Sequence, residues 1–109
     1  MELINENDAM ARLNNNKKLY ITLLKKFDAQ TMIDDLLEKI KNGDIVAAEA
    51  AAHTIKGLAA NLSLADLRAK AESVDNQLKN GDLNIDTAEI ELSVKDTIEA
   101  VNAWIAENS

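Results

Sequence analysis

No proline occurs anywhere in this chain of 109 residues, so nothing in the sequence obliges a helix to kink or stop. Helix ends must therefore be written in other residues. The tetrapeptide Lys-Asn-Gly-Asp serves that purpose twice, at Lys41 to Asp44 and at Lys79 to Asp82. Glycine suits the left-handed position just past a helix end, lysine favours the negative C-terminal pole, and Asp44 is placed to cap the helix that follows. With only three glycines and a single Trp, Tyr and Phe beside abundant Ala, Leu, Lys, Glu and Asp, the chain reads as all-α and packed by aliphatic side chains.

Between these marks the apolar spacing has the helical period. It predicts a short helix over Asp8 to Leu13, then one from Asn16 to Phe27 with Leu19, Tyr20, Leu23, Leu24 and Phe27 on one side. Thr31 with Asp34 three residues on resembles a capping arrangement and opens a helix to Asn42; whether residues 28–31 form a true break or a kink is open. Further helices are expected from Asp44 to Leu62, from Leu64 to Asn80 and from Asp86 to Glu107, each with an apolar stripe. Short connections between long amphipathic helices imply antiparallel neighbours. The expected fold is an up-and-down antiparallel four-helix bundle with additional short N-terminal helices, one domain spanning residues 1–109.

Composition excludes several functions. A formal net charge of −7 argues against a phosphate-backbone partner, which needs clustered Lys and Arg. The absence of cysteine removes disulfide and thiolate chemistry. No apolar run approaches the ~20 residues that cross a bilayer, and the first residues resemble no secretion signal, so a cytoplasmic monomer without membrane contact is expected. No phosphate-cradling glycine loop and no serine nucleophile signature are present. One histidine without cysteine leaves no ligand set for a metal, and no cofactor is expected.

That one histidine lies mid-helix in His53-Thr54-Ile55-Lys56-Gly57. Glycine in a helix interior costs about 1 kcal/mol relative to alanine, which suggests that something other than helix stability keeps the adjacent surface bare. At about 100° per residue, Ala48, Ala51, Ile55, Leu58, Ala59 and Leu62 fall opposite His53 and should face the core. Val46, Glu49, Ala50, Lys56, Gly57, Ala60 and Leu64 fall on the histidine side. An outward imidazole with small neighbours and one cation is open to close approach by a partner.

The run His53-Thr54-Ile55-Lys56-Gly57-Leu58-Ala59-Ala60-Asn61-Leu62 resembles the signature of histidine-containing phosphotransfer domains, H-T-[LI]-K-G followed by small residues and N-L-G. The likeness extends to Asp8 through Leu13, Leu19-Tyr20, Leu23 to Phe27, Gly43-Asp44, Leu67, Ala71 and Val74-Asp75. Ser63 stands where the family usually has glycine, and Leu58 where Ser or Ala is commoner.

The resemblance implies that His53 accepts a phosphoryl group from the aspartate of a response-regulator receiver domain and passes it to another receiver, with Mg2+ and the catalytic carboxylates on the receiver side. The domain would then be a phosphocarrier and not an enzyme. Lys56 would offset phosphoryl charge, a contact worth ~1 kcal/mol or less if exposed. Gly57, Glu49, Ala50, Ala60 and Leu64 would form the receiver-docking patch, and Asp75 would orient the imidazole through its other nitrogen. Two rivals stay open: a helical adaptor that never carries phosphate, and the phosphoacceptor domain of a chemotaxis-type kinase. The sequence fits equally a free-standing protein and the C-terminal module of a hybrid sensor kinase.

Overall fold

A computed structural model describes residues 1–109 and contains six helices: α1 (Glu6–Arg12), α2 (Lys17–Lys26), α3 (Ala29–Lys41), α4 (Ile45–Asn61), α5 (Ala65–Lys79) and α6 (Ala88–Asn108). There are no strands. The first four helices start at Asn or Asp caps: Asn5, Asn16, Asp28 and Asp44 each accept a hydrogen bond from the backbone N–H three residues on. Such caps satisfy N–H groups that have no partner inside the helix. The capping signal read at Thr31 and Asp34 lies one residue-triplet too late. Phe27 and Asp28 are non-helical (ψ 101 and 80), so residues 27–28 make a true break, and Asp28 opens α3 through both the Thr31 N–H and its hydroxyl.

Gly43 and Gly81 take φ of +72 and +80, the left-handed conformation that both tetrapeptides require at a helix end. Their aspartates then differ. Asp44 caps α4, whereas Asp82 accepts from the Asn84 N–H in a loop, and α6 begins only at Ala88.

Helices α3, α4, α5 and α6 pack in a ring, α3 on α4, α4 on α5, α5 on α6 and α6 on α3, while α2 lies against α6. Because each consecutive pair is joined by a short turn or loop, neighbours run antiparallel, giving an up-and-down bundle. Its core is aliphatic: Ile33, Leu36, Ile55, Leu64, Leu67, Ile90 and Val94 are buried almost completely. Alanines Ala48, Ala52 and Ala59 on α4, with Ala71 on α5, are fully buried, and such small side chains let two helix axes approach closely. No helix is long and apolar enough to cross a membrane.

The N-terminal segment closes one end of this bundle, where α4 turns into α5. The Asn5 N–H donates to the Ser63 carbonyl at 2.8 Å, and the Glu2 carbonyl accepts from the Asp66 N–H at 3.1 Å. The second bond satisfies the start of α5, which has no side-chain cap. Tyr20, buried and edge-on to Trp104 at 5.1 Å, donates its hydroxyl proton to the Leu62 carbonyl at 2.5 Å. Burial, reinforced by Asp8 and Glu6, pushes its phenol up to about 12, so it remains a donor. Since Leu62 is the C-cap of α4, this bond fixes the end of the histidine helix. Tyr20→Phe leaves that carbonyl without its partner and should cost about 1–3 kcal/mol in urea unfolding; an unchanged midpoint would count against the anchoring role.

Candidate functional site

Helix α4 presents one face to the core and the opposite face to solvent, with His53 on the latter. Its buried face, Ala48, Ala52, Ile55, Ala59 and Leu62, is turned from the expected one. Ala52 is fully buried although the wheel left it unassigned, while Ala51 and Leu58 are only half-buried. The principal neighbour of α4 is α5, a packing partner that a wheel of α4 alone does not include. Lys56 reaches Asp75 of α5, and His53 stays outward, its side chain 62% exposed.

Under the imidazole lies Asp75 of α5, fully buried. Its Oδ2 lies 3.5 Å from His53 Nδ1, 3.2 Å from Lys56 Nζ and 3.2 Å from Lys79 Nζ. Its other oxygen, Oδ1, is buried without a partner. Burial pushes the Asp75 carboxyl up, but the ammonium groups of Lys79 and Lys56, with a smaller contribution from His53, outweigh it and hold the group below the ordinary carboxylate range. A buried carboxylate is therefore present as an anion because two lysines converge on it. The 3.5 Å contact is an ion-pair distance, longer than a formed N–H···O bond of about 2.7–3.2 Å. With Nδ1 towards Asp75, the ring's second nitrogen, Nε2, is the one directed away from α5.

Lys56 differs from its expected setting. Its side chain is only 24% exposed and its ammonium rests on Asp75 instead of standing free beside the imidazole. Lys79 reaches the same carboxylate from one turn further along α5, although the sequence reading used it only as a helix-end residue. The signal was present: lysine four residues after an aspartate is a spacing that brings the two charges together.

Gly57 lies one turn after His53, and a Cβ built there meets nothing within 4 Å. No packing inside this chain requires glycine. The expected docking residues divide: Ala50 and Gly57 are exposed, Glu49 and Ala60 half-buried, and Leu64 fully buried. Leu64 therefore does not belong to the outward patch. The wheel was carried past the end of α4, where Ser63 takes φ of +58 and turns the chain so that Leu64 points inward. Ser63 tolerates this left-handed conformation among several bonds: its hydroxyl donates to Asp8 at 2.6 Å, its N–H to the Ala60 carbonyl, and its own carbonyl accepts from Asn5. Serine thus holds this turn in a left-handed conformation through its own side-chain and backbone bonds.

Two further surface features involve α4. Val46, two turns before His53, is 79% exposed. On the α3 side, Leu23, Phe27, Met32, Leu58 and Leu62 line an apolar groove of about 420 Å3 where the break between α2 and α3 meets α4. Neither element was assigned to a site from the sequence, because the groove exists only through the break at residues 27–28.

The site is thus an outward imidazole on a four-helix bundle, backed by a buried carboxylate and flanked by a bare glycine. Among known families, the model of the Hpt domain matches residues 26–104, a span that contains His53, Lys56, Gly57, Asp75 and Lys79. No curated protein matches the chain, and no solved structure does. The match covers most of the chain and all four bundle helices up to Trp104, and the chain belongs to the Hpt domain family, the helical phosphotransfer modules of two-component signalling.

Proposed function

We propose that His53 is the phosphoacceptor of a phosphorelay, taking a phosphoryl group from the aspartate of one response-regulator receiver and giving it to the aspartate of another. The observation that carries this reading is the exposed ring with Asp75 beneath Nδ1. A carboxylate that accepts the Nδ1 proton fixes the tautomer in which Nε2 carries the lone pair. Nε2 then attacks phosphorus in line with the bond to the receiver's aspartate. That P–O bond breaks, and its electron pair returns to the receiver carboxylate beside the receiver's Mg2+. Phosphoryl transfer depends mainly on positioning and charge compensation, and the chain supplies both without a nucleotide site of its own. It acts as a carrier, and transfer to the second receiver is the same step reversed.

Around the ring, Val46, Ala50, Gly57 and Ala60 form the surface over which the receiver's active-site loops pass, with Glu49 at its edge. The groove of Leu23, Phe27, Met32 and Leu58 receives apolar side chains of the same partner. Burial of such a groove at the centre of an interface contributes more than its polar rim. Lys56, held on Asp75, compensates phosphoryl charge by moving from the carboxylate towards Nε2.

His53→Gln keeps an exposed polar side chain and removes the nucleophile; a phosphorylated receiver should no longer label the chain, while far-UV circular dichroism stays helical. Labelling that survives the substitution would refute the assignment. Gly57 gives a second test, in which size is separated from helix propensity. Gly57→Ala should raise stability by about 1 kcal/mol, since a Cβ meets nothing there, and should leave transfer within a few-fold of the parent. Gly57→Gln should fold as well yet transfer far more slowly, because its side chain lies where the receiver docks. Equal transfer rates for the Ala and Gln variants would contradict the docking role.

A further inference from the structure

Asp75 Oδ2 carries more positive charge than one carboxylate needs. Within ion-pair distance it has Lys56 and His53 from α4 and Lys79 from its own helix, and α6, the other neighbour of α5, places no charged group there. Lys56 is the more enclosed of the two lysines, 24% exposed against 47% for Lys79. If Lys56 leaves Asp75 for a phosphoryl group, Lys79 at 3.2 Å is the one lysine left on the buried anion, and without it the imidazole at 3.5 Å would be its only cationic partner. Such a carboxylate draws a proton onto the pair it forms with the ring, and a protonated Nε2 has no lone pair to offer.

Resting on the relay reading above, we propose that Lys79 is a positioning residue of the phosphoryl site: it keeps Asp75 compensated when Lys56 turns away, so that the carboxylate orients His53 through Nδ1 without drawing a second proton onto the ring. Lys79 touches neither phosphoryl group nor receiver in this scheme. It acts through Asp75, and its effect is therefore greatest when Lys56 is absent.

His53 is the only histidine, so NMR of the imidazole in the full-length chain follows this ring alone, with no receiver present. Lys79→Ala by itself should move the pH of ring protonation little, because Lys56 remains. In a Lys56→Ala background the same change should move it to higher pH by about one unit or more, the size expected for an opposite charge within about 4–6 Å that has lost its other partners. Lys79→Arg in that background should restore the original value, and in an Asp75→Asn background the loss of Lys79 should have little effect. A ring titration that ignores Lys79 in the Lys56→Ala background, a failure of arginine to restore it, or an equal shift in Asp75→Asn would each overturn the proposal.

Should the double alanine chain not fold, Lys56→Gln with Lys79→Gln keeps amide donors on Oδ2 without their charge, and the same outcomes decide. A wild-type ring that no phosphorylated receiver ever loads would count against the relay alone, since the titration is read without one.

Discussion

A carboxylate taken fully out of water has to find its compensation inside the protein, and Asp75 finds it in groups from two helices. Desolvating an anion costs several kcal/mol unless hydrogen bonds and opposite charges replace the lost water. Here the replacements come from Lys56, Lys79 and the edge of the His53 ring. Their geometry depends on how α4 and α5 pack, the most extensive helix pairing in the bundle. The packing of α4 on α5 and the chemistry of the site are thus linked through Asp75.

The same helix is held firmly at its far end. Tyr20 bonds the carbonyl of the C-cap, Ser63 turns the chain under a hydroxyl bond to Asp8, and the N-terminal segment lies across the turn. Both α1 and most of α2 fall outside the residues that match the family model, yet they supply Asp8 and Tyr20 to this anchoring. A side chain carried on an element held at its end has less backbone freedom to lose when another molecule binds it. Bare surface around Gly57 then costs the helix some intrinsic stability, which the packing of the opposite face offsets.

Much of this was legible before any coordinates. Helical periodicity located the six helices to within a few residues, and Gly43 and Gly81 marked two ends because left-handed backbone has few alternatives to glycine. Legibility failed where tertiary contacts decide. Asp28 displaced the capping role expected near Thr31, since the break after α2 puts it first in line. Leu64 seemed outward only while α4 was imagined to continue through Ser63. The exact buried face of α4 could not be read from α4 alone, because α4 packs between α3 and α5. Asp75 carried its own clue, an acidic residue four positions from Ala71 and three from Leu78 and so on the buried side of α5, and Lys79 followed it at the pairing distance. Their convergence with Lys56 on one oxygen could not be read from spacing within a single helix.

The central claim is that Asp75 turns the ring so that Nε2, and not Nδ1, meets the phosphoryl group. The most direct test is 31P NMR of the chain after loading by a phosphorylated receiver, under alkaline conditions that preserve phosphohistidine. The account predicts one resonance from phosphate on Nε2 of His53. A signal from the Nδ1 isomer, or no phosphoimidazole signal at all, would contradict it.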